Sequence, residues 1–402
     1  MLLHDTRLAL RRLLKAPGYS FVTIASLTLG IGACTLVFSW IRTILIDTIP
    51  GAREPGRLVV LARSNDAGEI GHTLSLPDLR DLAAATNLYA GILGSQLEAT
   101  TLRVGRESDW VWAQTTTANY FQVLGVSPVL GRTFSPEEDQ APRGNPVTVI
   151  SHRLWQRRFD SSPDVVGKVI EVGRRPFTII GVAPSDFVGT MGGLGFDLWI
   201  PISMSGEHED VGRALSSRGW RWLHTVARLQ DGVSLKDAQA GTDIAMRQLA
   251  AAYPNSNRQI GTRVLPVWRS PWGAQNRMLP LLAALAAVAL LLLALVIANV
   301  SNLMLARAGA REGEMAVRLA IGAGSARLMR QILVESLLLA GVGGLAGALV
   351  ATGFGRALLW LLPPTYLPIR MEFPLDGRVL LFAALVSSLT GILFGLIPAW
   401  RA

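Results

Sequence analysis

Four stretches of the chain carry apolar side chains over a length that a soluble core does not need. They are Ser20 to Trp40, Leu279 to Leu305, Ile332 to Phe354 and Val379 to Trp400, and only the third holds a charge, Glu335. At 1.5 Å per residue each can cross a hydrocarbon layer of about 30 Å as a helix. Between the first and second the pattern changes. Arg57 to Arg63, Val147 to Ser151, Val169 to Val172 and Phe177 to Val182 are short and rich in β-branched residues, which predicts strands. Leu76 to Thr86 and Leu235 to Tyr253 carry the 3.6-residue period of amphipathic helices. Gly189 to Gly195 reads as a flexible loop and Ser203 to Ser217 as a polar segment without a period. The predicted fold class is a membrane protein of four transmembrane α-helices with a large α+β domain inserted between helices 1 and 2.

Composition and charge then orient this plan. Half of the 402 residues are hydrophobic and the mean hydropathy is +0.36, well above a soluble chain. The net charge of +9 does not form a nucleic-acid footprint, because Arg and Lys concentrate only beside the apolar runs. Arg307, Arg311, Arg318, Arg327 and Arg330 crowd the connection between the second and third spans, the bias that keeps a loop in the cytosol. An odd number of crossings then places the inserted domain outside. Residues 1–18 are expected to form an amphipathic cytoplasmic helix with Arg7, Arg11 and Lys15 on one stripe, broken at Pro17 and Gly18, or else a merely charged N-terminal region; both readings put the N-terminus in the cytosol. The expected segmentation continues as helix 1 over 19–46, the outer domain over 47–278, helix 2 over 279–305, a cytoplasmic segment over 306–328, helix 3 over 329–354, an outer loop over 355–378 and helix 4 over 379–400. Trp40, Trp268 and Trp272 are placed for an outer interfacial belt, and Arg42 for snorkelling or for starting a stalk.

Candidate chemistry is sparse. Ile31-Gly32-Ala33-Cys34 has the look of a lipidation box, but the apolar run continues past it, so Cys34 is read as a packing residue. As the only cysteine it excludes an internal disulfide. No G-x-x-x-x-G-K-[ST] phosphate loop occurs, so energy has to come from a partner. The five histidines are scattered, and His208-Glu209-Asp210 reads as an exposed polar loop and not a metal site. Ser151-His152 is not a catalytic dyad, because neighbours on a strand point apart. No catalytic or metal-binding residue is assigned, and the chain is not read as an enzyme. Asn299 and Asn302 can bond between helices or to headgroups, and Glu335 is either an ionisable group at membrane depth or a solvated interfacial one. Gly343 with Gly347, and Gly391 with Gly395, form two Gly-x-x-x-Gly pairs suited to close helix packing, within one chain or between two.

Between the second and third spans, Glu314 to Ile321 is built of helix formers, Gly322 to Gly324 ends it, and Ser325 can cap the helix that follows. The run ARAGAREGEMAVRLAIGAGSARLMRQILVES resembles the coupling segment of MacB/FtsX-like ABC permeases. The resemblance implies a helix docked on an ATP-hydrolysing subunit, with Arg311, Glu312, Glu314, Met315, Arg318, Leu319, Gly322 and Arg327 as its contact residues. YFQVLGV at Tyr120 to Val126, GRTF at Gly131 to Phe134, ISHRLW at Ile150 to Trp155, VGK at Val166 to Lys168, IGV at Ile180 to Val182 and LWIP at Leu198 to Pro201 are similar to blocks of the MacB-type periplasmic core domain. The LRRLLKAPGYS and LTLGIGA stretches resemble the acidobacterial duplicated orphan permeases, in which a second copy of the unit follows; none follows here.

What the resemblance implies is the permease subunit of an ABC-type export or mechanotransmission system in the bacterial inner membrane. It would bind no cofactor itself and use ATP through a partner ATPase, with a second permease copy and a periplasmic adaptor or outer-membrane channel as further partners. The alternatives are an FtsX-like scaffold that controls an extracytoplasmic enzyme, or a truncated half of a duplicated permease.

Overall fold

The computed structural model describes residues 9–11, 13–65, 68–71, 73–205, 211–272, 275–309, 325–361 and 376–401. Among these described residues four helices are long and apolar enough to cross a membrane. Two compact units emerge, one assembled from these helices and one built on Ile44–Arg277.

In the inserted unit the elements are β1 (Leu58–Ser64), α2 (Leu76–Ala85), β2 (Tyr89–Val104), β3 (Glu107–Thr116), α3 (Tyr120–Leu124), β4 (Leu130–Gly131), β5 (Val147–Ile150), α4 (His152–Phe159), β6 (Val169–Val172), β7 (Arg175–Val182), β8 (Leu198–Pro201), α5 (Val211–Ser216), β9 (His224–Leu229), α6 (Leu235–Ala252), α7 (Pro254–Asn257) and β10 (Gly261–Pro266). α1 (Pro17–Ile41) precedes them; α8 (Gln275–Gly309), α9 (Ser325–Leu361) and α10 (Gly377–Arg401) follow.

Ten strands form one mixed sheet in the order β10-β1-β9-β2-β3-β8-β5-β7-β4, with β6 pairing to both β2 and β7. That second pairing closes β2, β3, β8, β5, β7 and β6 into a ring. Inside it sit Val111, Ile150, Phe177, Ile179 and Leu198. The open half, β10-β1-β9-β2, carries α2 and α6, with Leu79 of α2 in one cluster with Leu61, Ile92 and Leu223. β2, at 16 residues, serves both halves: its beginning pairs with β9 and its end with β6.

Local sequence explains where the helices start. Ser75 and Ser234 cap α2 and α6, each Oγ accepting a backbone N–H from the aspartate three residues on, at 3.2 Å. Asp78 in that first turn is fully buried, where its Oδ1 accepts hydrogen bonds from Arg218 at 2.8 Å and Asn257 at 2.7 Å. The Arg218 guanidinium lies 3.5 Å from the centre of the Tyr253 ring, so α2, α7 and the segment before β9 are clamped together.

The centre of this unit is polar. Gln114, on β3, is fully buried, and its amide donates to Ser95 and Thr190 at 3.0 and 2.7 Å. Its carbonyl oxygen accepts from the Tyr120 hydroxyl at 2.6 Å and from the Trp199 indole at 3.2 Å. Burial raises the Tyr120 pKa well above the ordinary phenol value, so the hydroxyl stays protonated as this donor.

Several expectations change here. The Gly189 to Gly195 stretch is no free loop: Thr190 and Met191 are buried, and Gly189, at a φ of +118°, presses against Phe196. The apolar Met and the partnered Thr draw it into the core. Trp272, expected in an interfacial belt, is buried in the inserted unit against His224, with ring centroids 4.8 Å apart; Trp268 stays partly exposed. Ser151 ends its strand by capping α4, its Oγ accepting the Leu154 N–H at 3.1 Å, and His152 begins the helix. The pair is therefore no dyad because its hydroxyl is committed to a cap, a different reason from strand alternation. Val211–Ser216 is helical within the stretch read as irregular, while His208-Glu209-Asp210 lies outside the described residues. α9 runs on to Leu361, beyond the apolar span Ile332–Gly355, since no proline occurs before Pro363.

Gln114→Ala should remove a partner from four buried hydroxyl and indole groups at once and destabilise the inserted unit by about 2–4 kcal/mol. Urea unfolding of the full chain followed by tryptophan fluorescence measures this, and a loss below about 0.5 kcal/mol would show that the network contributes little.

Candidate functional site

The helical unit is organised on α9, which packs against α1 on one side and α10 on the other. Gly347 meets α1 backbone to backbone: a Cβ there would stand 2.9 Å from the Gly32 nitrogen and 3.0 Å from the Thr28 carbonyl. One turn earlier, a Cβ at Gly343 would lie 2.7 Å from that of Leu27. Hydrocarbon lipid supplies no hydrophobic drive between helices, so close van der Waals contact of this kind carries their association. The opposite face of α9 packs on α10, where Gly391 faces Ala340 and Leu337 and Gly395 faces Ser336. Both Gly-x-x-x-Gly pairs thus serve contacts within one chain. Gly344, outside either pair, sits against the Ser387 hydroxyl. Phe38 and Phe382 stack at 4.0 Å and join α1 to α10.

Several polar side chains inside the bundle are tied to carbonyls. Thr35 and Ser39 donate to the carbonyls four residues back at 2.8 and 2.9 Å, and the Cys34 Sγ reaches the Ala289 carbonyl at 3.5 Å. Cys34 is therefore a small buried contact between α1 and α8. Asn299 and Asn302 are exposed on α8.

Charges sit at the two ends. Near the end joined to residues 310–324, Arg307 of α8 forms an ion pair with Glu335 of α9 at 3.3 Å, and its guanidinium lies 4.4 Å from the Tyr19 ring centre on α1. Glu335 is 8% exposed, so it is a buried, paired carboxylate and not a solvated one. Removing one partner of such a pair costs about 3–5 kcal/mol, because the other charge is left without compensation. At the opposite end Arg42, in a π-helical turn Arg42–Ile46 that extends α1, pairs with Asp376. Asp376 caps α10 by accepting the Val379 N–H at 3.0 Å and the Arg378 N–H at 3.2 Å. Burial works to raise its pKa, but these hydrogen bonds and the Arg42 charge outweigh it and hold the carboxyl below its usual range.

Of the residues the sequence assigns to coupling, Arg311, Glu312, Glu314, Met315, Arg318, Leu319 and Gly322 lie outside the described residues. Arg327 falls in the first turn of α9. Sequence reasoning missed Tyr19, Gly32, Gly344 and Asp376 as contact residues, and gave Arg307 only a topological role. An aromatic and a basic residue at facing helix ends carry no periodic signal, whereas Asp376 directly before an apolar run is a readable cap. Among the described residues, no cluster of His, Cys, Asp or Glu could hold a metal ion.

Residues 20–243 match the model of the MacB-like periplasmic core domain, and residues 286–402 that of the FtsX-like permease C-terminal region. The chain is 30% identical over 286 residues to a probable syringafactin export ATP-binding/permease protein of Pseudomonas syringae pv. tomato, covering 71% of this chain and 39% of that one. It is 28% identical over 399 residues to a macrolide export ATP-binding/permease protein, MacB, of Bradyrhizobium diazoefficiens, covering 95% and 56%. The chain thus spans roughly half, or less, of the length of the curated relatives it matches. The crystal structure of the periplasmic region of MacB from Actinobacillus actinomycetemcomitans aligns with a TM-score of 0.39 at 16% identity, over 57% of this chain and 94% of that one.

Two variants test the packing. Gly347→Val should lower the melting temperature of the purified protein sharply, since the clash is with backbone, while Gly341→Ala, with open space around it, should be neutral. Equal behaviour would remove the α1–α9 contact from the account. Separately, a depressed folded-state pKa means that the Asp376 contribution is present above the ordinary value of about 3.9 and lost as pH falls through the depressed one. The stability gap between the native chain and Asp376→Asn should therefore be open at neutral pH and close in acid, as read from melting temperatures across that range.

Proposed function

Because the chain belongs to the family of MacB-like and FtsX-like ABC permeases, we propose that it is the permease subunit of an ABC-type export or mechanotransmission system. It is a multi-pass membrane protein with a MacB-type periplasmic core domain inserted between its first and second spans. In this reading it sits in the bacterial inner membrane with its N-terminus in the cytosol. A partner ATPase docks on the coupling segment through Arg311, Glu312, Glu314, Met315, Arg318, Leu319, Gly322 and Arg327, and a second permease copy completes the unit. The chain binds no cofactor itself. Its similarity to a probable syringafactin exporter and a macrolide exporter supports outward movement of a product.

The observation that carries the reading is the buried Arg307–Glu335 pair. It ties the helix that enters residues 310–324 to the helix that leaves them, so a push on that segment moves both helix ends together. The glycine contact between α9 and α1 then passes the displacement to the helix whose chain continues into the periplasmic domain. Close packing favours transmission over local absorption of the stroke. ATP-driven closure would bias the relay only by contacting the segment differently in its two states.

Co-purification with candidate ABC ATPases from the same cell tests the docking, with the native chain set against Glu314→Arg and Arg318→Glu. Retention by the native chain and its loss in the charge reversals is the expected result. A well-folded native chain that retains no ATPase would overturn it. In Glu335→Gln the ATPase should still be retained while stimulation of its ATP hydrolysis falls at least about tenfold; unchanged stimulation would remove the ion pair from the relay.

A further inference from the structure

A cleft of about 260 Å³ opens in the periplasmic domain between one face of α2 and the chain that follows β3. Its lining is mixed: Leu76, Leu79 and Ala83 recur at the three- and four-residue spacing of one helix face opposite Ile92 and Phe134, and polar side chains, Asn119 and Gln122 among them, complete it. Leu76, Leu79 and Ile92 are buried within the fold, so this wall is set by the core and not by mobile surface side chains.

One opposite-charge pair stands at the rim. The Arg80 guanidinium approaches Asp139 only to 4.0 Å, beyond hydrogen-bond distance, and the arginine side chain is 52% exposed. Asp139 is fixed: its Oδ2 accepts the Ala118 N–H at 2.9 Å, and its side chain is 15% exposed. A guanidinium has five donors. Among the described residues Arg80 makes no hydrogen bond, so its donors face the cleft mouth and water. The rim therefore offers a cation with open donors and, 4.0 Å away, a held anion with a free lone-pair direction.

Size and charge together select the occupant. At about 260 Å³ the cleft lies below the roughly 300–1,000 Å³ of sites that enclose drug-sized molecules. A group the size of a dipeptide is accommodated, and a larger ligand would extend beyond the cleft. A purely anionic amphiphile would be repelled by Asp139, and a purely cationic one by Arg80. A zwitterion satisfies both, its carboxylate on the guanidinium and its ammonium toward the aspartate, with apolar side chains on the α2 wall. We propose that this cleft is a binding site for small zwitterionic apolar peptides, with Arg80 and Asp139 fixing the two charged ends. The proposal goes beyond the coupling reading and does not need it, since binding requires neither ATP nor a partner.

The test is calorimetric titration of the full chain in nanodiscs with the dipeptide leucyl-leucine, with no nucleotide and no ATPase present. Saturable binding by the native chain is expected. It should be about tenfold weaker or more in Arg80→Gln, as loss of a charge-assisted hydrogen bond implies, and absent in Ala83→Phe, which fills the cleft from an exposed helix position. N-acetyl-leucyl-leucine amide, of the same shape without the charges, should not bind. No saturable binding by the native chain, unchanged binding in either variant, or equal binding of the neutral analogue would each overturn the proposal. None of these outcomes bears on ATPase docking, which is read separately by co-purification.

Discussion

The backbone contact between Gly32 and Gly347 is the constraint on which the helical unit depends. Two helices in lipid gain little by hiding apolar side chains from each other, so their attraction must come from many short contacts. Side chains at either glycine would push the axes apart and dissolve those contacts together. Two charge pairs tie the neighbouring helix ends: Arg307 of α8 with Glu335 of α9 at one end, and Arg42 after α1 with Asp376 before α10 at the other. The seam sets the geometry and the charges fix the ends.

Charge pairs of this kind are a poor source of stability by themselves, because desolvation offsets most of their attraction. Their use is positional. A carboxylate buried near a membrane face tolerates few arrangements, so the Arg307–Glu335 pair limits how α8 and α9 can slide against each other. The Gln114 network acts alike in the periplasmic domain, where four partners on different segments converge on one amide. Both sites exchange freedom for definition.

Much of this was legible in the sequence. The apolar runs gave all four spans, because bilayer thickness imposes a length that nothing else in the chain imitates. The β-branched runs mark β1, β5, β6 and β7 and the 3.6-residue period marks α2 and α6, whereas β2, β3, β9 and β10, whose apolar positions are interrupted by polar and small residues, and the short β8 are not marked as strands. Less legible were facts that depend on what lies across a gap. Gly343 and Gly347 announced close packing but not the partner, which is Gly32 in the same chain. Trp272 reads as an interfacial aromatic until its contact with His224 is known. Thr190 and Met191 sit in a glycine-rich stretch whose composition signals mobility, and only the donors of Gln114 explain why it is packed. Arg307 and Glu335 are 28 residues apart in sequence, and no local pattern joins them.

The long strand β2 has a consequence for how the domain assembles. It is hydrogen-bonded to β9 along its first part and to β6 near its end, and β3 runs beside it through ten successive residue pairs. Side chains alternate faces along a strand, so shifting β2 by one residue would turn its apolar set outward in the ring and in the open half at once. Neither half can settle its alignment alone. The domain therefore meets a single folding decision, made along one strand, and an error there cannot be confined to part of the structure.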